Sequence, residues 1–588
     1  MRYYAELRIL ESQSVSAKPA PADPLNRKAL RYRQGSRFMS LSELLVQARR
    51  YALEKVAPLE APYPAHTIFL SVSDGNQRAR VVHASHATFD EAWKTAAARC
   101  RRLVEREKLQ VRWLRADWPT SATQRDWKTL KEILKNTKRN YFRFGLALDS
   151  QLKHAFLEQE LNANAMLYGG NQVAHAILNG KNFRRYAGLR YRNPALDFSD
   201  DAQVIQLATA GVFCTTGSSP LALHGAGRNA GRRVIERLTP ADVHGLVASS
   251  SRYLASQVQA SGRFHYGWHA CFDRPIRTYN SLRHASTTYA MVEAWEVTGD
   301  ADLKAAIDRS LRLLTDSLIQ EVTLPDGQPA AFLIDAQDEI KLGGNAVCLL
   351  ALVQYSQATG SREHLPLLEK LALGIAHMQD PQSGRFVHVL NYPDLSVKEP
   401  FRIIYYDGEA AFGLMRLYGL TGDPRWLAMV ERAFDHFIDA EHWKAHDHWL
   451  SYCVNELTRY RDDERYYRFG LQNVADHLGF VASRITTFPT LLELMMAAEQ
   501  MVQRLKASAE HSHLLKGLDL TRFYQALEFR AHYLLNGHFF PEVAMYFQNP
   551  ARILGSFYIR HHAFRVRIDD VEHYLSGYVA YLRYVERG

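Results

Sequence analysis

The feature that most constrains the fold is a long-period repeat of helix pairs. Three helices open at His284-Ala285-Ser286, Asn345-Ala346-Val347 and Glu409-Ala410-Ala411 and close at Thr298-Gly299, Thr359-Gly360 and Thr421-Gly422. Each is apolar nearly all round, as at Ala351-Leu352-Val353, which indicates burial on every side. A second helix with a polar face follows each one, over 300–320, 361–379 and 423–438. The same grammar places further inner helices near 449–461, 489–506 and 570–585, and outer helices near 240–258, 464–478 and 519–537. Aligning Glu572 with Glu409 also brings Asp570 onto Asp407 and Tyr581 onto Tyr418. Open helical solenoids repeat at about 34–47 residues with short loops, whereas this period is roughly 60 and the loops are long and aromatic. Inner helices this apolar must close on one another. The fold class expected is mainly α: an (α/α)6 toroid over 239–588, preceded by a smaller N-terminal α/β domain.

That first domain is expected over 1–160. Residues 11–37, with Pro19, Pro21 and Pro24, read as irregular. Ser40 is placed to cap a helix, Thr67–Val72 and Arg80–His83 to form a hairpin around Asp74-Gly75, and Thr88 with Glu91 to box a helix reaching about Glu107. Val111–Leu114 and Tyr141–Gly145 read as further strands. Residues 161–238, rich in glycine, read as a connecting or wrapping region that either extends the first domain or wraps around the second.

Composition narrows the function. At 47% hydrophobic and 23% charged the chain is globular rather than disordered. Its net charge of +10 is spread out, with no dense basic stripe, so nucleic acid is not an expected partner. No apolar run long enough to span a membrane is present. Five scattered cysteines without a CxxC pair, and an N-terminus without an apolar leader, point to a reducing, cytoplasmic setting.

Two recurrent motifs carry a resemblance. One is the link Val297-Thr298-Gly299-Asp300-Ala301-Asp302-Leu303, matched by Leu420-Thr421-Gly422-Asp423-Pro424-Arg425-Trp426-Leu427. The other is Gly262-Arg263-Phe264, matched by Gly384-Arg385-Phe386. With these, residues 239–588 resemble the six-hairpin glycosidase-like superfamily. The resemblance implies a carbohydrate-active protein: hydrolase, lyase or epimerase, or one of a minority with other roles.

In such a ring the loops entering the inner helices build the mouth of a funnel, and the helix starts face it together. Asp407 with Glu409, and Asp570 with Glu572, then offer two carboxylate pairs for acid/base hydrolysis of a glycosidic bond. Acids at helix N-termini are also favourable simply through the macrodipole. Trp268, Tyr405, Tyr406 and Trp449 offer faces for sugar rings, and Arg283, His269 and Asn345 complete the expected binding set. Epimerisation or elimination would instead weight His284, His269, Arg283 and Tyr406. Arg274, Arg277, Arg283, Arg402, Arg565 and Arg567 suit an anionic glycan, although ion pairs with nearby acids explain them equally.

No cofactor or metal is expected. His442, His446 and His448 lack a metalloprotease frame, and His224–Gly231 lacks the dinucleotide fingerprint and reads as an interdomain link. The leading expectation is hydrolysis of an anionic oligo- or polysaccharide. The alternatives are a sugar epimerase or polysaccharide lyase, and a non-catalytic glycan-binding or scaffold component whose N-terminal domain docks a protein partner.

Overall fold

The computed structural model describes residues 39–191 and 194–587. The irregular segment expected over 11–37 lies outside the described residues.

Among the described residues, six inner helices form a closed ring: Ser281–Thr298, Leu342–Thr359, Tyr405–Thr421, His448–Leu457, Thr490–Ala507 and Ile568–Val585. Each packs on the next, and the sixth packs on the first. Six outer helices back them: Pro240–Gln257, Ala301–Leu313, Leu365–His377, Pro424–Asp439, Glu464–Ala475 and Leu520–Tyr533. The chain therefore forms an (α/α)6 toroid, with all inner helices running in one direction and their N-termini at one end. The second inner helix is buried from Leu342 through Gln354 without a break, as its apolar sequence requires.

The recurrent motifs have local physical causes. Gly299 and Gly422 end inner helices in the left-handed region (φ 60° and 72°), where glycine carries no Cβ penalty. The following aspartate caps the next outer helix: Asp300 accepts the amides of Asp302 and Leu303, and Asp423 accepts that of Arg425. Gly262 and Gly384 also have positive φ, and a Cβ there would lie 2.2 Å from the Arg309 carbonyl and 2.1 Å from that of Arg432. Each hairpin thus sits directly on the backbone of the next outer helix, and Phe264 and Phe386 bury behind it.

Two small sheets rim the mouth. One runs through Ile319–Thr323, Pro329–Asp335, Glu339–Lys341, Val389–Asn391 and Val397–Glu399, and the other joins Arg565–Arg567, Gly267–His269 and Arg274–Pro275.

The N-terminal domain is an antiparallel sheet in the order Arg80–His86, His66–Ser73, Trp113–Asp126, Gln203–Thr215, Gly145–Ala147, Ala155–Phe156. Leu41–Leu53, opened by a Ser40 capping box, and Phe89–Glu107, capped by Thr88, cover one face. Strand alternation separates the two faces. Ile68, Leu70 and Val72 pack under the helices, whereas Phe69 joins the core of the toroid and Ser71 accepts a hydrogen bond from Tyr546. The strand Gln203–Thr215 pairs along the whole of Trp113–Asp126, so this part of residues 161–238 lies within the sheet of the first domain. Tyr141–Phe144, read as a strand, is irregular; the strand begins at Gly145.

Gly384→Ala and Gly422→Ala should separate backbone strain from contact. Gly422 has nothing within 4 Å of its missing Cβ, so its replacement should cost about 1–3 kcal/mol of strain. Gly384→Ala adds a clash with backbone and should lower the urea midpoint further; equal midpoints would remove the packing role.

Candidate active site

Helix geometry first divides the expected carboxylate pairs. Residues two apart on an α-helix point about 200° apart, so Asp407 and Glu409 cannot share a face, nor can Asp570 and Glu572. Asp407 turns toward the wall, its Oδ2 3.3 Å from Nε2 of the fully buried His388. Nδ1 of His388 accepts the amides of Arg402 and Ile403, which leaves the ring proton on Nε2, facing Asp407. Asp570 is held by Arg567 at 3.0 Å, and Asp569 lies 3.1 Å from Arg567 and 3.3 Å from Arg283. The partners that do approach one another come from opposite helices of the ring, Glu409 from the third and Glu572 from the sixth.

Both are buried. Burial, opposed by Arg283 and reinforced by Asp447 and Glu572, holds the Glu409 carboxyl well above the usual carboxylate range. Its Oε2 has no hydrogen-bond partner among the described residues. Gly343 allows this placement, since a Cβ there would meet Glu409 Oε2 at 1.9 Å and the Tyr406 ring at 2.5 Å. Glu572 accepts hydrogen bonds from the hydroxyls of Ser286 and Thr287. Burial, only partly opposed by His573 and Ser286, pushes its pKa up to about 7.

The remaining inner helices add residues that sequence reasoning left out. His573, next to Glu572, places Nδ1 3.0 Å from Oε2 of Glu493 and Nε2 3.6 Å from Oε1 of Glu572. Glu493, in the first turn of the fifth inner helix, also accepts from the Tyr452 hydroxyl at 3.3 Å. Burial, opposed by His448 and reinforced by Glu293, raises it to about 8. His448 opens the fourth inner helix with Nδ1 3.1 Å from Asp447 Oδ1 and a buried, unpartnered Nε2. The rings of His448 and His573 lie 5.4 Å apart, centroid to centroid. Trp449 and Tyr405 flank them, Trp449 6.4 Å from His573 and Tyr405 5.6 Å from His448. Ligand atoms of His448, Glu493 and His573 all fall within 4.8 Å of one another, a set that a divalent cation could share. Solvent reaches the cluster at Arg283, whose side chain is 32% exposed, and at His573, 14% exposed.

Other expected residues lie elsewhere. His284 is fully buried between Tyr279, at 2.8 Å, and Ser310 of the outer helix, at 3.0 Å; burial lowers its pKa to about 4. It neighbours Arg283 in sequence but points into the wall. Asn345 accepts the Leu333 amide and donates to the Lys341 carbonyl, which commits its amide to the rim sheet. Trp268 donates to Gln257 and lies under the Arg552 guanidinium, while His269, half-buried on the same short strand, alternates to its other face. Tyr406 is buried 5.5 Å from His388 and beside Glu409. His442 stacks on Phe437, and His446 bonds the Asn473 carbonyl, so these two do not converge on His448. His573 was legible from its place beside Glu572 at the start of the last inner helix. Glu493 could have been found by reading the fifth helix start like the other five.

No protein-family model matches the chain, and no curated protein matches it. Solved structures do resemble it in chain path. A D-mannose isomerase is 11% identical, with 60% of this chain covering 100% of that one at a TM-score of 0.46. The cellobiose 2-epimerase of Bacillus thermoamylovorans is 11% identical over 59% of this chain and 100% of its own, TM-score 0.46. An alpha-1,6-mannanase from a Salegentibacter species is 10% identical over 58% and 98%, TM-score 0.41. No helix is long and apolar enough to cross a membrane among the described residues, and the five cysteines are free and buried.

The raised carboxyls give stability a definite pH dependence. A folded pKa above the unfolded value means the native state holds the extra proton. The stabilisation from Glu572 and Glu493 is therefore full below their unfolded pKa, near 4.5, and is lost as pH rises through about 7 and about 8. Melting temperature should fall from about pH 5 to about pH 9, and Glu493→Gln should flatten the upper part of that fall. An unchanged slope would show that Glu493 ionises normally.

Proposed function

We propose that the protein is a carbohydrate-active enzyme that moves a proton at a sugar carbon next to a carbonyl or carboxylate, an epimerase or isomerase type of reaction. The observation that carries this reading is the pair of converging histidines on the fourth and sixth inner helices, each with one ring nitrogen beside an acidic side chain. A neutral His573 with its proton on Nδ1, toward Glu493, keeps its Nε2 lone pair as a base, and His448 sets Nδ1 3.1 Å from Asp447 and leaves Nε2 without a hydrogen-bond partner. One imidazole removes the proton and the other returns it. Returned to the opposite face, it inverts the carbon; returned to the neighbouring carbon, it interconverts aldose and ketose. The carboxyl of Glu409, held protonated by burial, donates to the oxygen on which charge develops, and Arg283 at the opening supplies a cation for it. Trp449 and Tyr405 offer aromatic faces to the ring.

The finer assignments follow the same residues. Arg283, Arg565 and Arg567 stand at the mouth beside Asp569 and Asp570, and guanidinium groups in that position support an acidic sugar as substrate. Five buried, unpaired cysteines support a reducing, cytoplasmic setting.

A second reading is hydrolysis, with Glu409 as acid and Glu572 as base. It is favoured by two buried carboxyls contributed by opposite helices, each with its pKa raised by burial. Asp407 and Asp570, committed to His388 and Arg567, take no part in it.

Incubation in D2O with a panel of reducing and uronate-bearing sugars, followed by NMR, distinguishes the two. Proton transfer predicts deuterium at carbon, reduced on the order of 10²–10⁴-fold in His448→Asn and in His573→Asn. Hydrolysis predicts new reducing ends without label at carbon, and a loss in Glu409→Gln that the histidine variants do not share. Treatment with EDTA should leave the exchange rate unchanged; its loss on chelation would replace paired imidazole catalysis with a metal at His448, Glu493 and His573.

Gly343→Ala tests the placement of Glu409. The added methyl must displace its carboxyl and the Tyr406 ring, and exchange should fall on the order of 10²-fold with the circular dichroism spectrum preserved.

A further inference from the structure

Between the N-terminal domain and the toroid lies a second cluster of charge, remote in sequence from the mouth residues of the first five inner helices. Three guanidinium groups, on Arg143, Arg232 and Arg560, surround one carboxylate, Glu158. Arg143 and Glu158 belong to the first domain, Arg232 to the segment leading out of it, and Arg560 to the loop that enters the sixth inner helix. Arg560 is 1% exposed and Arg232 6%. Nearby acids do not balance them, because Asp117 is bound to Arg115 and Glu160 to Arg190.

The donors are incompletely used. Arg560 Nη2 reaches Glu158 Oε1 at 2.7 Å and its Nε the Asn140 carbonyl, but Nη1 has no partner. Arg232 gives Nη2 to the Tyr558 hydroxyl at 2.9 Å and leaves Nε unpartnered. Arg143 Nη1 and the Tyr141 hydroxyl are also buried without partners. Tyr141 and Arg143 remain partly exposed as residues, so one edge of the cluster is open to solvent. Burial together with Arg560 and Arg232 brings the Arg143 pKa down to about 10, the direction expected of cations crowded without a counter-charge. Buried cations are ordinarily paired, and each orphaned buried donor calls for a partner.

We propose that this junction binds an anion of the phosphate class, free or as the monoester of a small molecule, between Arg143, Arg232 and Arg560. A doubly charged tetrahedral oxyanion would balance the two surplus charges, and its oxygens would accept from the guanidinium forks and the Tyr141 hydroxyl. Because Arg560 lies on the loop that continues into Arg565 and Arg567, the bound anion would fix the joint between the two domains and one side of the mouth.

The test is thermal unfolding of the full chain in inorganic phosphate, in glucose 6-phosphate and in chloride of equal ionic strength. Saturating ligand should raise the melting temperature on the order of 2–4 °C over chloride. A rise with both compounds, or with the ester alone, separates the free anion from the ester as the ligand. Arg143→Gln, which removes no ion pair, should abolish the rise without lowering the melting temperature in chloride. Glu158→Gln removes the sole competing carboxylate and should preserve or enlarge the rise even if the protein is destabilised. Equal melting temperatures in all three salts, or an Arg143→Gln protein that responds as the wild type does, would overturn the proposal.

Discussion

Closure of the inner ring is the constraint on which everything else depends. Helices apolar on every side can be buried only by one another and by an outer layer. A six-membered ring achieves this while pointing all of their N-termini to one end. Polar residues at those starts are then brought together from segments far apart in the chain. They are also removed from water, which is why burial raises the pKa values of Glu409, Glu493 and Glu572 above the usual carboxylate range. The low dielectric that gives the site its chemistry is thus a by-product of the packing that gives the ring its stability.

The same logic governs the second domain. Its sheet buries one face under its own helices and the other against the toroid, so Phe69 and Phe213 belong to the toroid core although they come from the first domain. Along this joint the fold places charges as well as apolar groups. Arg115 is held by Asp117 and donates to the carbonyls of Glu542 and Gly231, tying the sheet to the loop before the sixth inner helix. Such a pair contributes less to net stability than to fixing one arrangement, because both charges have lost their water. In the neighbouring cluster the charges do not balance, which sets it apart from the rest of the joint.

Much of the architecture was legible because it is periodic. Apolar inner helices, Thr-Gly endings and capping aspartates are local signals, and they located both layers of the ring within a few residues. The first domain was legible for its caps and hairpin. It was not legible for the strand Gln203–Thr215, whose pairing with Trp113–Asp126 is long-range and leaves no local mark beyond its apolar run. Spacing along the chain does not display that helix rotation turns Asp407 away from Glu409 and Asp570 away from Glu572. Glu493 stands in the first turn of the fifth inner helix, a position that the repeat marks as it marks the other five helix starts.

By itself the sequence determined the ring, because hydrophobic periodicity, glycine φ preference and helix capping act over a few residues and need no knowledge of distant partners. Only the tertiary structure decided which polar side chains face the axis. That choice depends on rotation about each helix and on what the opposite wall presents, such as His388 drawing Asp407 aside and Ser310 drawing His284. The identity of a residue is local information; the company it keeps across a ring is not.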